Sequence, residues 1–248
     1  MSLFGFLRPS PKPDTALVWT APDGRRIPIE LKPSPRARRL TLRADPAAGA
    51  IRVSLHPRAS QQRALAFVAE QHEWIARRVA VWPEARPFTD GAIIPVEGVE
   101  TRICWSPERP RRVSRIGDDL HVGGPAESLS GRIERWLMAM ARDTLSDETH
   151  ALASSAGLEV EAVSIRDPRA RWGSCTGSGR IAYSWRLILA PPAVRRSVVA
   201  HEVAHLKHMH HGPAFWALAE ELYDGDMAAA RRWLKRHGAA LHWVGRPR

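Results

Sequence analysis

Five of the eleven histidines in this 248-residue chain fall between His201 and His211, in the string HEVAHLKHMHH. Within it His201, Glu202 and His205 form HExxH, and the surrounding Val198, Val199, Ala200, Val203 and Ala204 predict a helix. Side chains four apart on a helix lie one above the other, so two imidazoles face one point and can grip a divalent ion at about 2.0–2.1 Å each. Glu202 projects from an adjacent angle, close to the ion without having to bind it, which places a carboxylate where a general base is useful. A fold that uses this string must supply the helix, a third ligand from elsewhere and one open coordination position.

The third ligand calls for a chain reversal. His208 sits a further turn along the axis and is poorly placed if the helix continues. The helix-breaking pair Gly212-Pro213 marks where the chain can turn back. His210 and His211 lie just before it, and histidine tolerates the left-handed backbone that a reversal can require. We take His211 over His210, with Glu220 or Glu221 on the next helix as the rival source. His208 and His210 are read as solvated residues or as partners of the ligand rings. Cys104 and Cys175 are the only cysteines, too few for a disulfide framework and not in a CxxC pair. Cys175 is read as a small buried hydrophobe, and three imidazoles suit zinc.

Apolar residues make up 44% of the chain and charged residues 25%, which excludes a disordered or low-complexity polymer. The apolar stretch Leu3 to Leu7 is interrupted by Gly5 and followed by Arg8 and prolines, so no secretory or membrane segment is read and the chain is expected in the cytoplasm. The net charge of +11 is concentrated in residues 1–60 and 181–248. Such an excess can attract nucleic acid. Only four of the 37 basic residues are lysine, however, and this looks like the residue usage of a GC-rich coding sequence. No helix-turn-helix, zinc finger or RNP signature accompanies it. Nucleic acid at the basic N-terminal region is kept as a possible partner, and oligomeric state is not legible.

The first ten residues with Pro11 and Pro13 read as a loose arm. Strand patterns follow at Leu17 to Thr20, Arg26 to Leu31, Leu40 to Arg43 and Ile51 to Leu55, separated by turn residues such as Asp23-Gly24, and they predict an antiparallel sheet. From Ser60, a plausible N-cap, the period changes: Leu65, Val68, Ile75, Val79 and Trp82 predict one long amphipathic helix ending before Pro83. Strands resume at Ile93 to Val96, Thr101 to Trp105, Arg112 to Ile116 and Leu120 to Val122. No fixed-period repeat is visible. A boundary at Gly123-Gly124-Pro125 divides the chain into a β-rich domain, residues 1–125, and a second domain, residues 126–248. In the latter a helix reaches Ala156 before Gly157, and strands are expected at Val160 to Arg166, Ala170 to Ser174 and Ile181 to Leu189. The HExxH helix starts near Ala193, and two more helices run from Pro213 to about Tyr223 and from about Met227 to His237, with Gly238 as a stop. The fold class is α+β.

The residues RWGSC from Arg171, then IAYSWRLILAPP, then HEVAHLKHMHHGPAFW ending at Trp216, resemble the YgjP-like metallopeptidases of the minigluzincin group. RARRLTLRADPAAGAIRVSLHP and a helix ending in EWIARR resemble the first half of the same family, so the likeness spans nearly the whole chain. That family usually has Asn-His-Ser near the third ligand, where this chain has His210, His211 and Gly212. The resemblance implies a zincin-like second domain, zinc at His201, His205 and His211, and Glu202 as the base.

The implied reaction is hydrolysis of a peptide bond by a zinc-activated water, Glu202 taking its proton and passing it to the leaving amine. The strand Ile181 to Leu189 resembles the edge strand on which zincins pair an extended substrate. Tyr183 or Arg186 could steady an oxyanion, but alternation leaves either free to face away, and neither is counted as catalytic. Trp172, Trp185, Phe215 and Trp216 are expected to pack around the active helix, and Gly173 to permit a close backbone approach. Two other functions stay open: a metal-dependent nucleoside triphosphate pyrophosphohydrolase, and a DNA-associated protease module like the SprT-like group.

Overall fold

The structure, a computed structural model, describes residues 17–247, and the arm expected up to Pro13 lies outside them. It is a mixed α+β arrangement of six α-helices and three small sheets among these residues. Two compact units divide between Trp82 and Pro83.

In the first unit β1 (Val18–Thr20), β2 (Arg26–Pro33), β3 (Thr41–Asp45) and β4 (Ala50–Leu55) form one sheet in the order β1-β2-β4-β3. The expected strands are present, but the sheet is mixed: β2 and β4 run parallel, from Ile29 opposite Ile51 to Pro33 opposite Leu55. Alternation reveals which residues face a core and carries no sign of strand direction. The helix expected from Ser60 to Trp82 is two, α1 (Gln61–Glu70) and α2 (His72–Val79), with Gln71 between them at φ −92°, ψ 14°. Ser60 caps α1 by accepting from the backbone N–H of Arg63 at 3.2 Å. The buried stripe Ala64, Val68, Ile75 and Val79 runs through the break, which is why the spacing reads as one helix.

The second unit opens with β5 (Ile93–Val96), β6 (Val99–Ser106), β7 (Ser114–Ile116) and β8 (Asp119–Gly123), in the order β5-β6-β8-β7 with β6 and β8 parallel. This repeats the topology of the first sheet without any period in the sequence. The helix α3 (Leu129–Ser155) buries every fourth residue: Leu129, Ile133, Leu137, Ala141, Leu145, Thr149 and Ala153. A large apolar side chain so buried contributes about 1.5–3 kcal/mol. Gly157, at φ +65°, follows the end of the helix in the left-handed conformation that glycine favours. Ile94, Ile103 and Leu120 of the sheet share one core with Ile133 and Leu137 of α3 and Val199 further on. Gly123-Gly124-Pro125 therefore lies inside this unit, as a turn between a sheet and the helix packed on it.

The third sheet contains β9 (Ala162–Arg166), β10 (Gly173–Cys175) and β11 (Arg180–Ser184) in the order β10-β11-β9. The strand expected to reach Leu189 stops at Ser184, and Trp185–Leu189 forms a 3-10 helix with every residue buried. A run in which every side chain is buried, Arg186 included, has no exposed positions to give a period that tells the two apart. Then follow α4 (Pro192–Ala204), α5 (Pro213–Glu221) and α6 (Met227–Leu241). Gly238 does not end α6. It lies within the helix, at a place where a Cβ would stand 2.8 Å from the Trp172 ring. No helix among the described residues is long and apolar enough to cross a membrane.

Candidate metal centre

Pro191 and Pro192 open α4, where the first-turn N–H groups need no helical partner. Nine of its thirteen residues are buried, Glu202 among them. The helix ends at Ala204 with His205 as its cap, and the backbone N–H of His208 donates to Ala204 O at 3.0 Å. The chain turns back through residues 205–212 and enters α5 at Pro213, where the sequence places the reversal.

This reversal brings His211 against the two helix histidines. One ring nitrogen from each of His201, His205 and His211 lies within 4.8 Å of the others. Nε2 of His211 is 3.1 Å from Nε2 of His201. His205 Nδ1 is 3.0 Å from the backbone carbonyl of His208; a carbonyl only accepts, so Nδ1 carries the proton and Nε2 keeps its lone pair. His208 thus acts through its main chain. His210 is exposed and lies outside the trio, as do Glu220 and Glu221 on α5.

Phe215 packs against all three rings, at centroid distances of 4.9 Å to His201, 4.5 Å to His205 and 4.7 Å to His211. Trp216 adds contacts to His201 and His211. These aromatics, which the sequence assigns to packing, also fix the angles of the rings. Burial, together with His205, His211 and Arg231, pushes the His201 imidazole down to about 4, so it is neutral at pH 7. His205 is lowered as well, chiefly by burial. Three convergent ring nitrogens fit a divalent ion of borderline softness, and zinc suits such a donor set.

Glu202 is 5% exposed, and its burial pushes the carboxyl up to about 7 while Arg171 pulls the other way. It has room because Gly173 of β10 has no side chain: a Cβ there would stand 2.5 Å from Glu202 Oε1. The close approach expected at Gly173 is therefore made to this carboxylate. Glu202, the three histidines, Gly173, Ser174, Cys175 and Met209 line a cleft of about 310 Å³ open to solvent. The Cys175 thiol is pushed up to about 11 by burial and by Glu202, and it lies outside the histidine group.

Two sequence candidates point elsewhere. Tyr183 is fully buried, its hydroxyl accepting from Thr149 Oγ1 at 3.1 Å. Arg186 is bound to Asp167 and to the carbonyls of Leu241 and Val244. The edge of the sheet nearest α4 is β10, while β11 is central. Ser184 N donates to Trp172 O and Thr176 N to Arg180 O, so in the antiparallel alternation Gly173 and Cys175 turn their own N–H and C=O groups outward. A three-residue strand reading GSC has no pattern from which this edge could be found.

The family described as YgjP-like, metallopeptidase domain, matches residues 38–237. Among solved structures, the crystal structure of the metallopeptidase zymogen of Pyrococcus abyssi abylysin is 19% identical over 37% of this chain and 93% of that one, with a TM-score of 0.34. No curated protein matches.

Proposed function

Because this chain belongs to the YgjP-like metallopeptidase family, we propose that it is a zinc-dependent peptidase in which His201, His205 and His211 hold the metal and Glu202 is the general base. The observation that carries the reading is the convergence of three imidazoles beside a buried carboxylate at the floor of an open cleft. Zinc bound there supplies Lewis acidity that polarises a carbonyl oxygen and acidifies water.

The chain's own residues do the remaining work. The outward N–H and C=O groups of Gly173 and Cys175 pair with an extended peptide as one more strand. Glu202 accepts a proton from water at a carboxylate oxygen as the water oxygen bonds to the scissile carbon, then delivers it to the amine nitrogen as the C–N bond breaks. A carboxyl raised toward neutrality by burial both takes and returns a proton readily. Phe215 and Trp216 keep the three rings from turning away.

The test is metal analysis of the purified full chain beside Glu202→Gln, with casein and nucleoside triphosphates as substrates. The variant should keep one zinc per chain and lose about 10²–10⁴-fold in casein hydrolysis. Equal turnover by the variant, or hydrolysis of triphosphates in place of casein, overturns the proposal.

A further inference from the structure

The third sheet has two faces of opposite character. Ile181 and Tyr183 of β11 are buried in the core of the second unit. On the other face Ala182 stands beside Ser164 of β9 and Ser174 of β10, a floor of small side chains. Above it lies a groove of about 490 Å³, lined at its rim by Arg166, Arg171 and Arg180.

The charges there are unevenly spent. Arg180 is paired with Glu161 at 2.6 Å. Asp167, next to Arg166, is committed to Arg186 at 2.7 and 3.1 Å. Neither Arg166 nor Arg171 has a carboxylate in an ion pair among the described residues, and both are exposed. Two guanidinium groups are therefore left to face solvent over a floor too small to fill the space above it.

Gly173 and Ser174 line this groove and also the cleft that holds His201 and Glu202, so the two cavities meet across β10. Side chains of an extended peptide alternate between the faces of the sheet it joins. A substrate paired with the outer edge of β10 thus sends alternate side chains toward α4 and into the groove. A compact anion lodged in the groove would stay on one side of the strand, away from the histidines.

We propose that Arg166 and Arg171 form a subsite that selects an acidic side chain, Asp or Glu, at a substrate position whose side chain crosses β10 into the groove. This rests on the peptidase reading and adds a substrate class to it. Guanidinium groups match carboxylates in a planar, two-bonded geometry, and at this exposed site one such contact should be worth about tenfold in affinity.

The test separates binding from turnover. Zinc-loaded Glu202→Gln is titrated into fluorescein-labelled decapeptides of alanine and serine with a single Glu or Gln walked along the sequence, read by anisotropy. Glu at one position should bind about tenfold tighter than Gln, and a chain that also carries Arg166→Gln and Arg171→Gln should lose that preference while binding the Gln peptides as before. Equal binding of Glu and Gln peptides, or a preference that survives both arginine substitutions, overturns the subsite. The wild-type chain is then given the same peptides. Cleavage without acidic preference removes the subsite and leaves the peptidase reading intact. Acid-selective binding with no cleavage of any peptide does the reverse.

Discussion

The sharpest prediction concerns Gly173→Ala. A Cβ at this position would stand 2.5 Å from Glu202 Oε1, 2.6 Å from its Cγ and 2.7 Å from its Cδ. Ordinary carbon contacts are near 3.5 Å, so about 1 Å of movement has to be found. Glu202 is 5% exposed on a helix buried on most of its surface, and Cγ as well as the tip is in the way, so a small rotation of the carboxylate does not relieve the overlap. Either β10 moves outward or the Glu202 side chain leaves its position. Overpacking of this kind costs about 1–3 kcal/mol, which lowers Tm by about 2–4 °C per kcal/mol in a chain of this size. With Glu202 as the proposed base, a displacement of about 1 Å should cost about 10²-fold in rate. The three histidines are untouched, so zinc content should remain that of the wild type. Casein hydrolysis, thermal unfolding and metal analysis on one preparation check all three expectations. A variant with wild-type turnover and unchanged Tm would show that Gly173 does not gate the position of Glu202.

Two further outcomes concern stability. His242 is 4% exposed, stacked on Trp172 at 5.1 Å, and pushed down to about 4, first by burial and then by Arg186. Because the unfolded chain takes up this proton near pH 6.5 and the folded chain only near 4, the stability is present above pH 6.5 and is lost as the pH falls toward 4. The loss between pH 7 and 5 is about 2 kcal/mol, and urea unfolding of His242→Phe should lack that part of the pH dependence; an identical slope in both proteins would remove His242 as its source. Arg195, 4% exposed, binds Glu148 at 2.8 Å and Glu97 at 3.1 Å, and Arg195→Met leaves both carboxylates without it. Such a break costs about 3–5 kcal/mol when fully buried. Here about 2–4 kcal/mol is expected, since exposures of 28% for Glu97 and 19% for Glu148 let water screen them, and an unchanged urea midpoint would count against the network.

The sequence was most legible where a period or a chain-breaking pair decides the geometry. The i, i+4 spacing brings His201 of α4 and His205, the residue that caps it, to one side, and Gly212-Pro213 sets the reversal that carries His211 back to them. The end of α3 is equally plain, since the helix expected to reach Ala156 before Gly157 stops there. Its limits have physical causes. The stripe of α1 and α2 passes through Gln71 without a change of spacing, so the break leaves no trace. Parallel pairing of β2 with β4, and of β6 with β8, is invisible because alternation is the same in either direction. Gly123-Gly124-Pro125 looks like a linker, yet the side chains on either side of it meet in one core. Arg171 beside Glu202 could not be found, because its neighbourhood depends on a loop and on a strand of three residues.

The open flank of β10, proposed above to pair with substrate, also carries a hazard. Unpaired strand edges recruit other copies of themselves, and proteins commonly suppress this with shortness or with charge. β10 spans only three residues, which limits the ladder that a neighbouring copy could build. Arg171 stands just before it, and in a parallel, in-register approach of two identical flanks these cations would lie side by side and repel one another. Lengthening this strand, or neutralising the cation beside it, would therefore be expected to raise self-association, visible as a concentration-dependent increase in mass by light scattering.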